Sequence, residues 1–172
     1  QHIADRFGWE ELVQNISEEY HALSPEKKMQ TGILINNWGI ASAVHYYKEK
    51  YKLPEPTSND GWYYFEALHN NDFKNTYICI GYQEGTLHYL FSSVEKKRIF
   101  THPHCMPHEN NRPIYVCANS KVDFAEYLKI ERKINPAFVS ILRKEGAQKA
   151  IEFYKKQKSM NKAELIDKIA KD

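Results

Sequence analysis

Two periods of apolar residues meet between Gly32 and Tyr47, and this stretch predicts the centre of the fold. Gly32-Ile33-Leu34-Ile35 is apolar throughout, the pattern of a strand covered on both faces. After the polar turn Asn36-Asn37-Trp38-Gly39, apolar residues recur at Ile40, Ala43, Val44 and Tyr47, which is helical spacing. Pro54 and Pro56 end this helix near Leu53, because proline lacks the amide proton that the next turn needs. Upstream, Trp9, Leu12, Val13, Ile16, Tyr20 and Leu23 share a helical face, predicting a helix over 9–23. Ser24-Pro25 then reads as the cap and first position of a short helical turn. Downstream, 76–82 and 113–118 predict two further strands, the segment up to Leu90 a short helix, and 95–102 another strand. Residues 57–61 read as a polar turn, and the pattern of Trp62-Tyr63-Tyr64-Phe65 fits helix and strand equally.

From about Phe124 the pattern becomes helical, with helices predicted over 137–144, 147–158 and 162–171. Two parts are therefore expected, an α/β domain over 1–122 and a helical C-terminal extension over 123–172. Strands that alternate with helices predict a three-layer α/β sandwich with a mostly parallel, Rossmann-like sheet. The turns after such strands gather at the carboxyl edge of the sheet, where α/β folds bind their ligands.

Composition narrows the function classes. A chain of 172 residues with 42% hydrophobic and 27% charged residues can bury a core without disulfides or metals. A net charge of +2 does not point to a nucleic-acid partner. The excess of Lys and Arg after Lys121 reads as solvated helix faces. No apolar run reaches the roughly 18 residues of a membrane span. With no basic-then-apolar leader and no initiating Met, the expectation is an exported protein whose leader was removed, or a piece of a longer one. Neither GxGxxG nor GxxxxGK[ST] is present, so nucleotide binding has no phosphate-cradling motif behind it and no cofactor is expected.

The polar clusters carry the candidate chemistry. His102-Pro103-His104-Cys105-Met106-Pro107-His108-Glu109 is dense in metal-ligand types, but its crowding within one short loop argues against tetrahedral convergence, and no metal is expected. Cys105 with His104 or His108 is the alternative thiol-enzyme pair. Cys79 reads as a buried small hydrophobe, and the spacing leaves a Cys105–Cys117 bridge open. Asn36 and Asn37 either cap the following helix or hydrogen-bond a polar ligand. Trp38 is either core or a platform for the apolar face of a sugar. Asn59, Asp60 and Trp62 form a second such cluster, Glu109 and Asn110 a third. Carboxylates, amides and aromatics together are what a carbohydrate site uses, and also what loops contain.

Longer strings carry a family resemblance. Residues 1–13, Ile33 to Ala43, Tyr51-Lys52-Leu53-Pro54, Ser58-Asn59-Asp60 and above all Met106 to Cys117 resemble one known region. It is the extracytoplasmic C-terminal soluble domain of bacterial membrane glycosyltransferases related to dolichyl-phosphate-mannose protein mannosyltransferases. The resemblance covers about residues 1–118. It implies a non-catalytic, periplasmic domain of an enzyme that moves sugar from a polyprenyl-phosphate donor. The catalytic acid of such enzymes lies in a loop tied to membrane spans, here expected to precede Gln1. The implied partners are an acceptor glycan or the polyprenyl-phosphate sugar, at a cleft of Asn36, Asn37, Trp38, Asn59, Asp60, Trp62, Glu109 and Asn110. The family's turn usually reads Asn-Tyr-Gly-Glu, whereas Trp38 and Ile40 stand at the second and fourth of those positions here. Asn59-Asp60 stand where the family's next motif has His-Asn. The alternative is a secreted structural or protein-interaction module without transferase activity.

Overall fold

The structure is a computed structural model, which describes residues 8–59, 61–107, 109–125 and 127–129 and the single positions 149, 152 and 156. Helix α1 spans Trp9–His21 and buries Leu12, Val13 and Ile16. Helix α2 spans Pro25–Met29, with the Ser24 hydroxyl accepting from the Lys27 amide. Strand β1, Thr31–Ile35, is buried at every position. Helix α3 spans Trp38–Tyr51, and its first turn is closed by Asn37, whose Oδ1 accepts from the Ile40 amide at 2.9 Å. Asn37 thus satisfies one of the orphan amides of a helix start. Strand β2 (Pro56–Ser58), helix α4 (Gly61–Asn70), strand β3 (Thr76–Ile80) and helix α5 (Glu84–Leu90) follow. Two long strands, β4 (Phe91–Phe100) and β5 (Arg112–Ser120), complete the sheet.

The strand order is β2-β1-β3-β5-β4. β1 pairs in parallel with β2 and β3, whereas β5 runs antiparallel to both β3 and β4. The expected mostly parallel, Rossmann-like sheet is thus overturned: the sheet is mixed, and its longest ladder, β4 with β5, is antiparallel. The physical reason lies in the connection. β4 and β5 are joined by the loop 101–111 with no helix between them, and neighbouring strands need a long crossover before they can lie parallel. Two further expectations change. The stretch 57–61 holds the end of a three-residue strand, β2, and the aromatic run at Trp62 to Phe65 is helical.

The helical C-terminal extension is likewise no part of the described architecture. The helices expected over 137–144, 147–158 and 162–171 lie outside the described residues, except for helical backbone at 149, 152 and 156. Contacts divide the chain into two units, Gln1–Glu126 and Tyr127–Asp172, and the sheet with its helices belongs to the first. Within that unit, Ile33, Ile35, Ile78, Ile80 and Ile114 pack with Val13 and Ile16 of α1 and with Ile40, Ala41 and Val44 of α3. Alternate residues point to the opposite face. There the ring of Phe124 lies 4.9 Å from that of Tyr77 and 5.5 Å from that of Phe91. Arg98 ties β4 to α1 through Glu18 and Glu19, both at 2.6 Å.

Tyr77 gives this second face a pH dependence. Its side chain is fully buried, its Oη accepts from the Lys74 amide at 2.8 Å, and burial pushes the phenol up to about 12. The unfolded phenol ionises near 10, so the group favours folding fully below pH 10, and that contribution is lost as pH rises towards 12. Denaturant titrations between pH 8 and pH 12 are expected to show a loss of roughly 2–3 kcal/mol from this residue. In Tyr77→Phe that part of the alkaline loss is absent.

Candidate functional site

The register places three turns side by side at the carboxyl edge of the parallel strands. Ile35 pairs with Ser58 on one side and Ile80 on the other, so the turns beginning at Asn36, Asn59 and Gly81 start level with one another. The antiparallel course of β5 adds a fourth segment. Ile114 pairs with Ile80, and Arg112 pairs with Phe100. The loop 101–111 therefore lies at this same edge. A parallel β5 would have carried it to the opposite one.

Packing confirms the meeting of these segments. Trp9, Leu12, Ile40, Phe100, Cys105 and Glu109 enclose a cavity of about 10 Å³, room for a single water at most. Glu109 thus reaches the starts of α1 and α3. A Cβ built on Gly39 would lie 2.9 Å from the Trp9 ring, and one on Gly81 would lie 3.3 Å from the Asn36 carbonyl oxygen. Close approach therefore fixes glycine at both positions.

The expected site residues separate into different roles. Asn36 is exposed and Trp38 is 58% exposed, so Trp38 lies at the surface and not in the core. Asn37 is committed to capping α3. Asn59 is half-buried at the start of the second turn. Asp60 lies outside the described residues, as does His108, and Trp62 is described only as helical backbone near the start of α4. Asn110 is a loop clamp: its Oδ1 accepts from the His102 and Asn111 amides, and its Nδ2 donates to the His102 carbonyl oxygen. Gly81 and Trp9 belong to the edge although neither stood out in the sequence. A glycine directly after a strand was the available signal for the first, whereas Trp9 reads as an ordinary core residue of α1.

The reactive alternatives find little geometry. The Cys105 thiol donates to the His102 carbonyl oxygen at 3.4 Å, and the three cysteines are free, so Cys105 and Cys117 are not bridged. Cys79 is fully buried, and burial pushes its thiol up. Among the described residues, no group of three or more His, Cys, Asp or Glu is placed to hold a metal. The perturbed carboxyls and phenols sit elsewhere. Glu10, at the seam of α1 and α3, is held below its usual range by the Lys50 ammonium, and Tyr77 lies under the second face.

Two helices aim their positive ends at this edge. α3 and α4 both begin there, and neither has an acidic residue within its first turn, although Glu109 reaches the start of α3 and Asp60 directly precedes α4 in sequence. An exposed amide at Asn36, the exposed indole of Trp38 and the amide-bearing start of α3 together can hold a polar ligand. No helix among the described residues is long and apolar enough to cross a membrane. No family model matches the chain, and comparison with curated proteins and with solved structures finds no match either.

Proposed function

We propose that the α/β unit is the ligand-recognising, non-catalytic domain of a membrane-associated glycosyltransferase, working on the outer side of a bacterial inner membrane. Its carboxyl edge receives the sugar-phosphate head of a polyprenyl-phosphate donor or the end of an acceptor glycan. The sequence resemblance supplies the enzyme class. The observation that carries the site is Trp38, more than half exposed at the first position of α3, with exposed Asn36 before it and the Asn59 turn alongside.

An indole face stacks on the apolar face of a sugar ring, and amides hydrogen-bond its hydroxyls. The amide-bearing start of α3 adds a dipole that attracts a phosphate, against the nearby Glu109 carboxylate. Ile40, where relatives tend to carry an acid, is 1% exposed and packed in the core. The turn therefore offers no carboxylate from that position, which fits recognition without chemistry.

Calorimetric titration with a short-chain polyprenyl-phosphate sugar tests the reading. Trp38→Ala is expected to weaken binding by about tenfold, or about 1.4 kcal/mol. Stability should change by under about 0.5 kcal/mol, because the side chain is mostly in water. Unchanged affinity in Trp38→Ala, or no binding by the parent chain, contradicts the proposal. Asn37 is the poorer probe, since removing it uncaps α3.

A further inference from the structure

We propose a second binding site at the opposite edge of the sheet, for a compact, amine-bearing polar ligand of monosaccharide size. A cavity of about 230 Å³ opens there between the last turn of α4 and the segments that lead into β2 and β3. At about 30 Å³ of liquid volume per water, it has room for roughly eight waters. Gly32 lines the cavity, and a Cβ there would come within 2.7 Å of the Tyr77 ring. Pro54 and Phe73 supply apolar wall, while Thr57, Glu66 and Asn70 supply polar groups.

The charges around this cavity do not cancel. Glu55 is committed to Lys48 and His45, and Asp72 to Lys74 at 2.6 Å. The Glu66 carboxylate and the Asn70 amide line the cavity with no hydrogen-bond partner among the described residues. Glu55 and Asp72 each have a lysine partner, Lys48 and Lys74, whereas Glu66 forms no ion pair of its own within salt-bridge distance among the described residues. The carbonyl end of α4 adds further negative potential. Those features select a cation. No set of metal ligands is assembled among the described residues, so an organic ammonium is favoured, with hydroxyls to meet Asn70 and Thr57 and an apolar face to meet Phe73. This site does not rest on the carboxyl-edge reading, because the two lie at opposite ends of the parallel strands.

An amide-resolved NMR titration with glucosamine, matched against neutral glucose, tests it. The expected result is saturable shifts confined to residues 55, 57 and 66–74 with glucosamine, and at least about tenfold weaker binding by glucose. Glu66→Gln, a half-exposed isosteric change, is expected to weaken glucosamine binding by about tenfold with the rest of the spectrum preserved. Overturning results are no saturable shift in these segments, equal binding of glucose, or full affinity in Glu66→Gln.

Discussion

Phe124→Ala is expected to destabilise the α/β unit by about 3–5 kcal/mol, the range for removing a buried aromatic ring. Phe124 is 3% exposed and contacts three other rings. It stacks on Phe73 at 6.4 Å and meets Tyr77 and Phe91 at 4.9 Å and 5.5 Å. Those partners come from the segment before β3, from β3 itself and from β4, so no single neighbour can move in to fill the space. The hole left by the ring has walls anchored in two strands, where collapse is limited and the cavity penalty is near its full value. Against a total of about 5–15 kcal/mol for a domain, this is a large fraction. Urea denaturation of the full chain should show a much lower midpoint with an unchanged slope. A shift equivalent to under about 1 kcal/mol means that the turn at Phe124 does not seal this face.

The second large effect is at Gly81. Gly81→Val is expected to cost about 2–3 kcal/mol, because the residue holds φ at +84° and faces the Asn36 carbonyl oxygen at 3.3 Å. A β-branched residue pays for the left-handed backbone and also for the contact. Asn36 cannot yield freely, since its amide donates to the Ile80 carbonyl oxygen at 3.1 Å. The strain therefore falls on the two turns that frame Trp38, and ligand affinity at this edge should drop along with stability. Gly85→Ala is the contrasting change. Nothing lies within 4 Å of a Cβ at Gly85, and in the helix α5 alanine is favoured by up to about 1 kcal/mol.

The sequence carried the elements better than their directions. β1 and α3 were legible because a strand buried on both faces and a capped amphipathic helix have different periods, with Asn37 marking the change. β2 was not, because three residues beginning with Pro56 make no pattern; an edge position tolerates the missing amide proton. α4 was obscured by four aromatics in a row, which suit a strand as well as a helix. The direction of β5 was available in principle. Two strands joined by a loop without a helix pair antiparallel, yet the regular alternation of strands and helices upstream suggested a mostly parallel sheet.

That direction also governs the candidate site. Asn36, Trp38 and Asn59 were placed together by the rule that turns after parallel strands share an edge, while Glu109 precedes its strand and reaches them only because β5 is reversed. Asn110 shows what composition leaves undecided. Its amide is of a type that binds sugars, but both of its ends are spent on backbone within its own loop. Trp38 is the converse case, an indole that could have been core and lies in water.

The most direct test of a binding edge built from these four segments is an amide-resolved NMR titration with a short-chain polyprenyl-phosphate sugar. The expected result is a set of shifts at residues 36–38, 59, 81 and 109 that saturate at one common ligand concentration, with 66–74 unaffected. Shifts confined to one of these turns, or centred elsewhere on the surface, would contradict it.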